Sequence, residues 1–207
     1  MNILVINGHP DASSFCESVF AEFVRGLNAK KHKIETLELG KMDFDPVLRF
    51  GYRKRMPEDA EILRSQELLK WADHLVFVYP IWWSGMPSLM KGWIDRVFTP
   101  GIAYSSNTDG SFLLNYLLGR QFKHLLKGKT AEIISTSMGP AWWSRLFGGP
   151  ISVSDSYGVA VLKSAVLVHS GIKTKKVLIL GNMGRKSNTP EIREKFLQKV
   201  HQRAEKI

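Results

Sequence analysis

Hydroxyl and ring donors gather in residues 7–15, directly after the apolar run 3–6. Ser13 and Ser14 supply hydroxyl groups there, and His9 supplies a ring N–H. Such donors, placed ahead of a helix whose first N–H groups have no intrahelical acceptor, suit a phosphate group. The alternative is structural, with Ser14 capping the helix and His9 an ordinary loop histidine. The sequence therefore indicates either a phosphate-binding loop or a helix cap.

A second candidate segment, residues 79–87, places two adjacent tryptophans, Trp82 and Trp83, between prolines. Proline cannot continue a β ladder, so these indoles are poor core material and suit a flat wall. An isoalloxazine ring needs such a wall together with backbone N–H groups directed at its edge. The same aromatic residues could instead fill a dimer interface or cap the core.

A third segment, residues 135–150, combines small hydroxyl residues with glycine and proline. This composition lets the edge of a ligand approach the backbone closely. Arg145 is the one positive charge in the segment. It could assist an anionic flavin or a nicotinamide phosphate, although a surface arginine is the commoner case.

Metal-dependent and hydrolytic chemistry have no support in the motifs. The chain contains no H-E-x-x-H, no paired cysteines and no G-x-S-x-G, and its six histidines are scattered. It also lacks G-x-G-x-x-G and G-x-x-x-x-G-K-[ST], which argues against a Rossmann dinucleotide site and a P-loop. Asp95 could act as a catalytic carboxylate, but its place within a predicted helix beside Arg96 favours a structural ion pair or cap contact.

The composition is that of an ordinary globular chain, with 207 residues, 44% hydrophobic and 23% charged. The formal net charge is +10, but residues 173–207 hold ten basic and three acidic residues, so the body carries only +3. This distribution does not support nucleic acid as the principal ligand. The single cysteine, Cys16, favours a reducing, cytoplasmic setting. The longest apolar run, residues 75–83, is too short to span a membrane.

Short apolar runs alternate with amphipathic helical patterns along the chain. Such alternation predicts one domain over residues 1–207, a doubly wound α/β fold with a five-stranded parallel sheet and helices on both faces. Ser14 with Glu17 three residues later predicts a capping box. Two long connections, 40–56 and 99–119, are expected to be binding loops or oligomer contacts. The predicted strands are 3–6, 33–37, 74–79, 130–136 and 176–180, and the predicted helices are 15–27, 57–71, 87–98, 153–169 and 190–206.

Several of these motifs resemble those of the NAD(P)H:quinone oxidoreductases, which have the flavodoxin-like fold. The match begins at Gly8-His9-Pro10 with Ser14-Phe15 and becomes specific in residues 79–87, followed by Lys91-Gly92-Trp93-Ile94-Asp95-Arg96-Val97-Phe98. Gly101-Ile102-Ala103-Tyr104 is also similar to the family. The element order agrees along nearly the whole chain, whereas the strong motifs occupy residues 3–18 and 79–104.

The resemblance implies three sets of flavin contacts. Those to the flavin phosphate fall on His9, Ser14, Phe15, Cys16 and Ser18. Those to the ring fall on Pro80, Ile81, Trp82, Trp83 and Ser84, with Thr136, Ser137 and Gly139 on the opposite edge. Cys16 stands where the quinone reductases usually carry asparagine, which alters one polar contact.

The resemblance also implies an obligate homodimer with sites at the interface. Tyr104 and Trp143 would line the substrate pocket, with Tyr104 reaching into the partner's site. The tyrosine and histidine that relay protons in the family are not matched, since Trp143 falls near the first and Gly149 near the second. No catalytic proton donor is therefore assigned, and no metal is expected.

The function implied is a flavin-dependent NAD(P)H:quinone oxidoreductase with two-electron, ping-pong hydride transfer through flavin N5. FAD is the expected cofactor, with FMN as the alternative, and NAD(P)H is the co-substrate. A quinone or a related flat electrophile, such as an azo or nitro compound, is the expected acceptor. Another possibility is a flavin-binding regulatory subunit of a potassium-efflux transporter, because such ancillary proteins share this fold.

Overall fold

Five parallel strands form the central sheet among the residues that the computed structural model describes, which are 1–106, 122–139, 157–184, 186 and 188–207. The strands are β1 (Asn2–Asn7), β2 (Lys33–Glu38), β3 (His74–Ile81), β6 (Thr130–Ser137) and β7 (Lys173–Leu180). Their spatial order is β2-β1-β3-β6-β7, so the chain reverses its winding direction at β1. The predicted doubly wound class and parallel sheet are confirmed.

Helices cover both faces of this sheet. They are α1 (Phe15–Gly26), α2 (Ala60–Trp71), α3 (Ser88–Val97), α4 (Tyr157–Ala160), a π-helical stretch (Val161–Leu167), α5 (Val168–Ser170) and α6 (Pro190–Ala204). One face packs on α1 and α6, and the other packs on α2, α3 and the helical residues from α4 to α5. No helix in the described ranges combines the length and the apolar character that a bilayer span requires.

Alternation along the strands divides the core into two layers. In β1, Ile3 and Val5 face the α1 and α6 side, whereas Leu4 and Ile6 face α2 and α3. All four side chains are fully buried. Because successive side chains of a strand point to opposite faces, a continuous apolar run is what a strand covered on both faces requires. This arrangement explains why the buried central strands were predictable from sequence.

The segment 99–119 contains the largest departure from the sequence prediction. A short strand, β4 (Tyr104–Ser106), pairs antiparallel with β5 (Phe122–His124); residues 107–121 lie outside the description. A three-residue strand has too little periodicity to be recognised, and its partner is distant in sequence. The prediction of an entirely irregular connection was therefore wrong.

Smaller departures concern element boundaries. Strand β7 begins at Lys173, three residues before the predicted start, because an edge strand tolerates exposed lysines. Helix α2 begins at Ala60, three residues after the predicted start, with the Asp59 carboxylate accepting the backbone N–H groups of Glu61 and Ile62. The predicted helix 153–169 is helical from Tyr157 onward, and residues 153–156 lie outside the description.

The predicted capping box is only half formed. Ser14 Oγ accepts the Glu17 N–H at 3.3 Å, as predicted. The Glu17 carboxylate, however, accepts a hydrogen bond from Asn7 Nδ2 at 2.7 Å, and the Ser14 N–H donates to the Asp11 carbonyl. Asn7 is 2% exposed, so its amide needs a protein partner. This need is met by Glu17.

Asp95 makes an ion pair, but its partner is not the neighbouring Arg96. Lys91 Nζ lies 2.6 Å from Asp95 Oδ1, one helical turn earlier. Residues four apart share a helix face, whereas adjacent residues do not. The nearly buried Arg96 instead donates to the Asp45 carbonyl at 2.6 Å and lies 4.0 Å from the Asp59 carboxylate. It thereby attaches the predicted binding loop, residues 40–56, to α3.

A buried ion pair between β6 and α6 gives a test of this packing. Glu132 is 1% exposed, and Arg203 Nε donates to its Oε2 at 2.9 Å. Arg203→Ala would leave the carboxylate buried without a partner, so we expect the free energy of unfolding to fall by about 3 kcal/mol. Lys199→Ala, on the exposed side of the same helix, should change it by less than about 0.5 kcal/mol. Urea unfolding measures both, and equal losses would show that the pair does not hold α6.

Candidate functional site

A cavity of about 150 Å³ opens at the carboxyl ends of β1, β3 and β6. In a doubly wound sheet this edge is where ligands bind, because the loops that leave the strands meet there. Residues from all three segments singled out in the sequence line it, together with one residue that follows β7. The lining residues are His9, Ser14, Phe15, Cys16, Pro80, Ile81, Trp82, Thr136, Ser137, Met138 and Met183.

The loop after β1 leaves the sheet through a tight passage. The Gly8 N–H donates to the Val78 carbonyl at 2.8 Å, which continues the β1–β3 ladder by one residue. A Cβ atom at Gly8 would lie 2.5 Å from Met90 Sδ on α3. Asn7 then turns the chain, with its Oδ1 accepting the His9 N–H at 3.1 Å. The loop position is therefore fixed by backbone and buried side-chain contacts.

The start of α1 faces the cavity and is suited to an anion. Ser14 is the N-cap, and Phe15 and Cys16 belong to the first turn. Backbone N–H groups in a first turn have no intrahelical acceptor, and the helix dipole places partial positive charge there. Since Ser14 Oγ accepts the Glu17 N–H, its own hydrogen is free to donate. The first-turn N–H groups and the Ser14 hydroxyl are therefore hydrogen-bond donors that suit a phosphate group.

His9 is held in one orientation beside this helix start. Its Nδ1 accepts the Asp11 N–H at 2.9 Å, so the ring proton belongs on Nε2. Burial lowers the pKa of His9 from its usual 6.5, and the nearby Asp11 carboxylate opposes this shift. The ring also meets Trp82 edge-on, with centroids 5.3 Å apart. At neutral pH His9 is therefore a neutral, oriented N–H donor.

Cys16 lies on the floor of the cavity as an uncharged thiol. Its Sγ is 3.5 Å from Thr136 Oγ1. Burial raises the pKa of the thiol to about 11, so the thiolate is not populated at neutral pH. An uncharged sulfur does not repel an anion, and a thiol is a poor nucleophile. Cys16 is thus compatible with phosphate binding and not with covalent catalysis.

The tryptophan segment forms a narrow turn. The Trp82 N–H donates to the Gly85 carbonyl at 2.9 Å, and the Gly85 N–H donates back to Trp82 at 2.8 Å. The two residues between them, Trp83 and Ser84, have φ values of 50° and 56°. For non-glycine residues such angles cost about 1–3 kcal/mol each. Gly158 packs directly against this turn. A Cβ atom at position 158 would lie only 2.8 Å from the Gly85 carbonyl carbon, so a larger residue would displace the turn.

This turn separates the two tryptophans. Trp82 is 45% exposed and lines the cavity, whereas Trp83 is completely exposed and does not line it. The predicted flat wall therefore consists of Trp82 with Pro80 and Ile81.

The third wall joins the loops after β6 and β7. The Met183 N–H donates to the Ser137 carbonyl at 3.0 Å, and the Asn182 N–H donates to the Gly139 carbonyl at 2.9 Å. Met138 and Met183 face the cavity as a result. Sequence reasoning missed both methionines. The position of Met183 just after a parallel strand was the available signal, because that edge gathers such residues.

Nine of the thirteen predicted cofactor contacts line the cavity: His9, Ser14, Phe15, Cys16, Pro80, Ile81, Trp82, Thr136 and Ser137. The other four do not line it. These four, Ser18, Trp83, Ser84 and Gly139, are exposed. Trp143, Arg145 and Gly149 lie outside the described residues. Within the described ranges, no group of three or more potential ligands could hold a metal ion.

Tyr104 belongs to a different cavity, of about 360 Å³. This cavity is bordered by Asp95 near the end of α3 and by Ser170, whose carbonyl accepts the Leu126 N–H ahead of β6. These elements meet at the amino ends of the strands, opposite the first cavity. Tyr104 also contacts the Phe122 ring edge-on at 5.5 Å. The structure therefore separates Tyr104 from the predicted cofactor residues of its own chain.

Two similar curated proteins are named as dehydrogenases. The chain is 28% identical over 174 residues to ribosyldihydronicotinamide dehydrogenase-like protein traD of Penicillium crustosum, covering 73% of this chain and 63% of that protein. It is 30% identical over 122 residues to NAD(P)H dehydrogenase (quinone) 1 of Cavia porcellus, covering 49% and 44%. The chain thus spans less than two thirds of the length of these relatives.

A solved structure and a family model match over a greater length. The crystal structure of Smu.1420 from Streptococcus mutans UA159 is similar with a TM-score of 0.80 and 34% identity, covering 100% of both chains. The family model described as flavodoxin-like fold matches residues 1–204. With the parallel sheet and the cavity at its carboxyl edge, this match shows that the chain belongs to the flavodoxin-like fold family.

Proposed function

We propose that this chain is a flavoprotein that binds FAD, with FMN as the alternative, and transfers hydride from NAD(P)H to a quinone or a similar flat acceptor. The observation that carries the proposal is the convergence of a helix start, an oriented histidine and a tryptophan wall on one cavity. The relatives named as NAD(P)H and ribosyldihydronicotinamide dehydrogenases support the redox class. The buried free Cys16 favours a reducing, cytoplasmic location.

The residues present fit a flavin phosphate. The first-turn N–H groups of Phe15 and Cys16, the Ser14 hydroxyl and His9 Nε2 are all donors at one end of the cavity. Each bond to an ionised oxygen is stronger than a neutral hydrogen bond. The high pKa of Cys16 keeps negative charge away from the same place. These donors suit a phosphate, and the guanidinium of Arg193, 5.7 Å from the centroid of the Phe15 ring, adds a positive charge near the helix start.

The ring of the cofactor would lie against Pro80, Ile81 and Trp82. Hydride transfer at N5 is the chemistry that a bound flavin supplies. The chain positions the flat reactants by stacking and limits water with the apolar side chains of Met138 and Met183. NAD(P)H and the acceptor would occupy the same open side in turn, which produces ping-pong kinetics.

Quinone reduction consumes one hydride and one proton. Among the described residues that line the cavity, the titratable ones are His9 and Cys16. The thiol pKa of about 11 makes Cys16 too weak an acid for this task, and the His9 proton is directed to the phosphate end. Neither His9 nor Cys16 is therefore assigned as the proton donor.

A second copy of the chain would complete the substrate slot. Tyr104 lies at the amino ends of the strands, so it cannot line the cavity of its own chain at their carboxyl ends. A two-fold dimer with antiparallel sheets would bring the Tyr104 of each copy to the Trp82 of the other. This arrangement is the homodimer that we propose.

The purified protein gives the first test. A flavin spectrum, the mass of FAD or FMN after extraction, and NADPH oxidation that depends on menadione are the expected results. A colourless protein that binds no added flavin and does not oxidise NADPH would overturn the proposal. Bound flavin without turnover would contradict the enzymatic part and favour a flavin-binding regulatory subunit.

The role of His9 gives a second test. His9→Leu removes a donor to the phosphate and should weaken FAD binding about tenfold, measured by flavin fluorescence. His9→Gln keeps an N–H donor and should stay within about threefold of the wild type. Because the pKa of His9 lies below its usual 6.5, the ring gains charge only in acidic solution. Wild-type affinity should therefore rise as the pH falls below 6.5, and the affinity of the Gln variant should not.

The shared slot gives a third test. The double variant His9→Leu, Ser14→Ala and the variant Tyr104→Ala should each be nearly inactive alone. When the two variants are mixed and reassembled, half of the dimers are hybrids. Each hybrid has one intact site, which combines the unchanged cavity of one chain with the unchanged Tyr104 of the other. About a quarter of wild-type activity should therefore return. Light scattering should give twice the chain mass of 23.5 kDa. A monomeric wild type, or no recovery on mixing, would contradict the shared slot.

A further inference from the structure

The amino edge of the sheet collects exposed lysines from separate stretches of the chain. The first stretch joins α1 to β2, the second precedes β6, the third opens β7 and the fourth follows α6. We call this set the lysine edge. Its members are Lys30, Lys31, Lys33, Lys127, Lys173, Lys175 and Lys206, all of them exposed.

Backbone contacts bring these stretches to one side of the molecule. Lys33 is the first residue of β2 and pairs with Asn2 of β1. Lys173 is the first residue of β7, and its N–H donates to the Lys129 carbonyl just ahead of β6. The end of α6 packs against the end of α1, where a Cβ on Gly26 would lie 2.8 Å from Ala204 Cβ. The residues after α6 therefore lie beside those that lead into β2.

The charge of the lysine edge is not neutralised within the described part of the chain. None of its seven ammonium groups has a described carboxylate within 4.0 Å, whereas Lys41, Lys70 and Lys91 each form an ion pair elsewhere. Exposed acids also adjoin this edge: Asp73, Glu205 and Glu35, together with Glu67, which pairs with Lys70. Uncompensated like charges repel one another and favour an anionic partner.

We propose that the lysine edge docks onto an anionic lipid surface. Five strands about 4.8 Å apart make an edge on the order of 20 Å wide, with lysines at both ends. Such an extended array suits a plane of headgroups. The cavity of about 830 Å³ that Lys33 lines beside it also contains Glu35 and Glu67, whose carboxylates disfavour a nucleic-acid strand there. Lysine offers hydrated point charges, whereas arginine is the preferred residue for forked recognition of nucleic-acid phosphates. Leu125, 45% exposed beside this edge, adds an apolar contact.

Docking in this way leaves the cofactor cavity of the same chain free, because the two lie at opposite ends of its strands. The cavity lies at the carboxyl ends of the strands, and a strand of eight residues such as β3 spans about 26 Å. No member of the lysine edge lines the cofactor cavity or the Tyr104 cavity. The inference therefore goes beyond the proposed function and does not rest on it.

Co-sedimentation with vesicles tests this inference. The full chain should bind vesicles of seven parts phosphatidylcholine to three parts phosphatidylglycerol at 50 mM salt, and bind neutral phosphatidylcholine vesicles at least tenfold more weakly. Half a molar salt should release it, because screening removes the attraction. The triple variant Lys30→Glu, Lys31→Glu, Lys33→Glu should lose about a hundredfold in partitioning.

A matched control uses three lysines away from this edge. Lys186→Glu, Lys195→Glu, Lys199→Glu makes the same change in net charge at exposed positions after β7 and on α6, and should lose less than about fivefold. Circular dichroism confirms folding, and Lys173→Glu, Lys175→Glu replaces the first variant if that one unfolds. Equal losses in test and control, or equal binding to neutral vesicles, would overturn the inference. Tighter binding to duplex DNA than to anionic vesicles at the same salt would also overturn it and favour a nucleic-acid partner.

Discussion

The unpaired N–H groups at the start of α1 are the constraint on which the site depends. Burying the first backbone N–H groups of a helix without acceptors is unfavourable. These groups must therefore face solvent, a capping side chain or a ligand. Ser14 satisfies one N–H, and Asn7 holds the preceding loop through Glu17 and His9. The remaining donors face the cavity. Gly8, Met90 and the oriented His9 ring are arranged around this helix start.

The polarity of a parallel sheet then separates the molecule into two ends with different chemistry. Neutral donors and apolar walls occupy the carboxyl ends, while Tyr104 and the lysine edge occupy the amino ends. A single chain therefore cannot bring Tyr104 to the cavity that its own His9 and Ser14 line. The same polarity allows an anionic surface to be engaged at one end without blocking the other. The proposed assembly and the proposed docking both follow from strand direction.

The site is maintained at a cost in local stability. Trp83 and Ser84 adopt backbone angles that favour glycine, and the turn persists because Gly85 is packed against Gly158 and bonded twice to Trp82. The result is a half-exposed indole at the cavity and a fully exposed one beyond it. Such concentration of strain at a loop is typical of positions where a side chain must be presented to a ligand.

The class of fold and most of the cavity lining could be predicted from the amino-acid sequence. Buried strands such as β3 read as continuous apolar runs, and Ser14 signals a helix start, because burial on both faces and capping are local requirements. Four features became visible only in the three-dimensional arrangement: Glu17 bonds Asn7, β4 pairs with β5, Met183 joins the cavity, and Tyr104 lies at the opposite end. These contacts join residues that are distant in sequence, and they depend on strand order and direction, which no local pattern specifies.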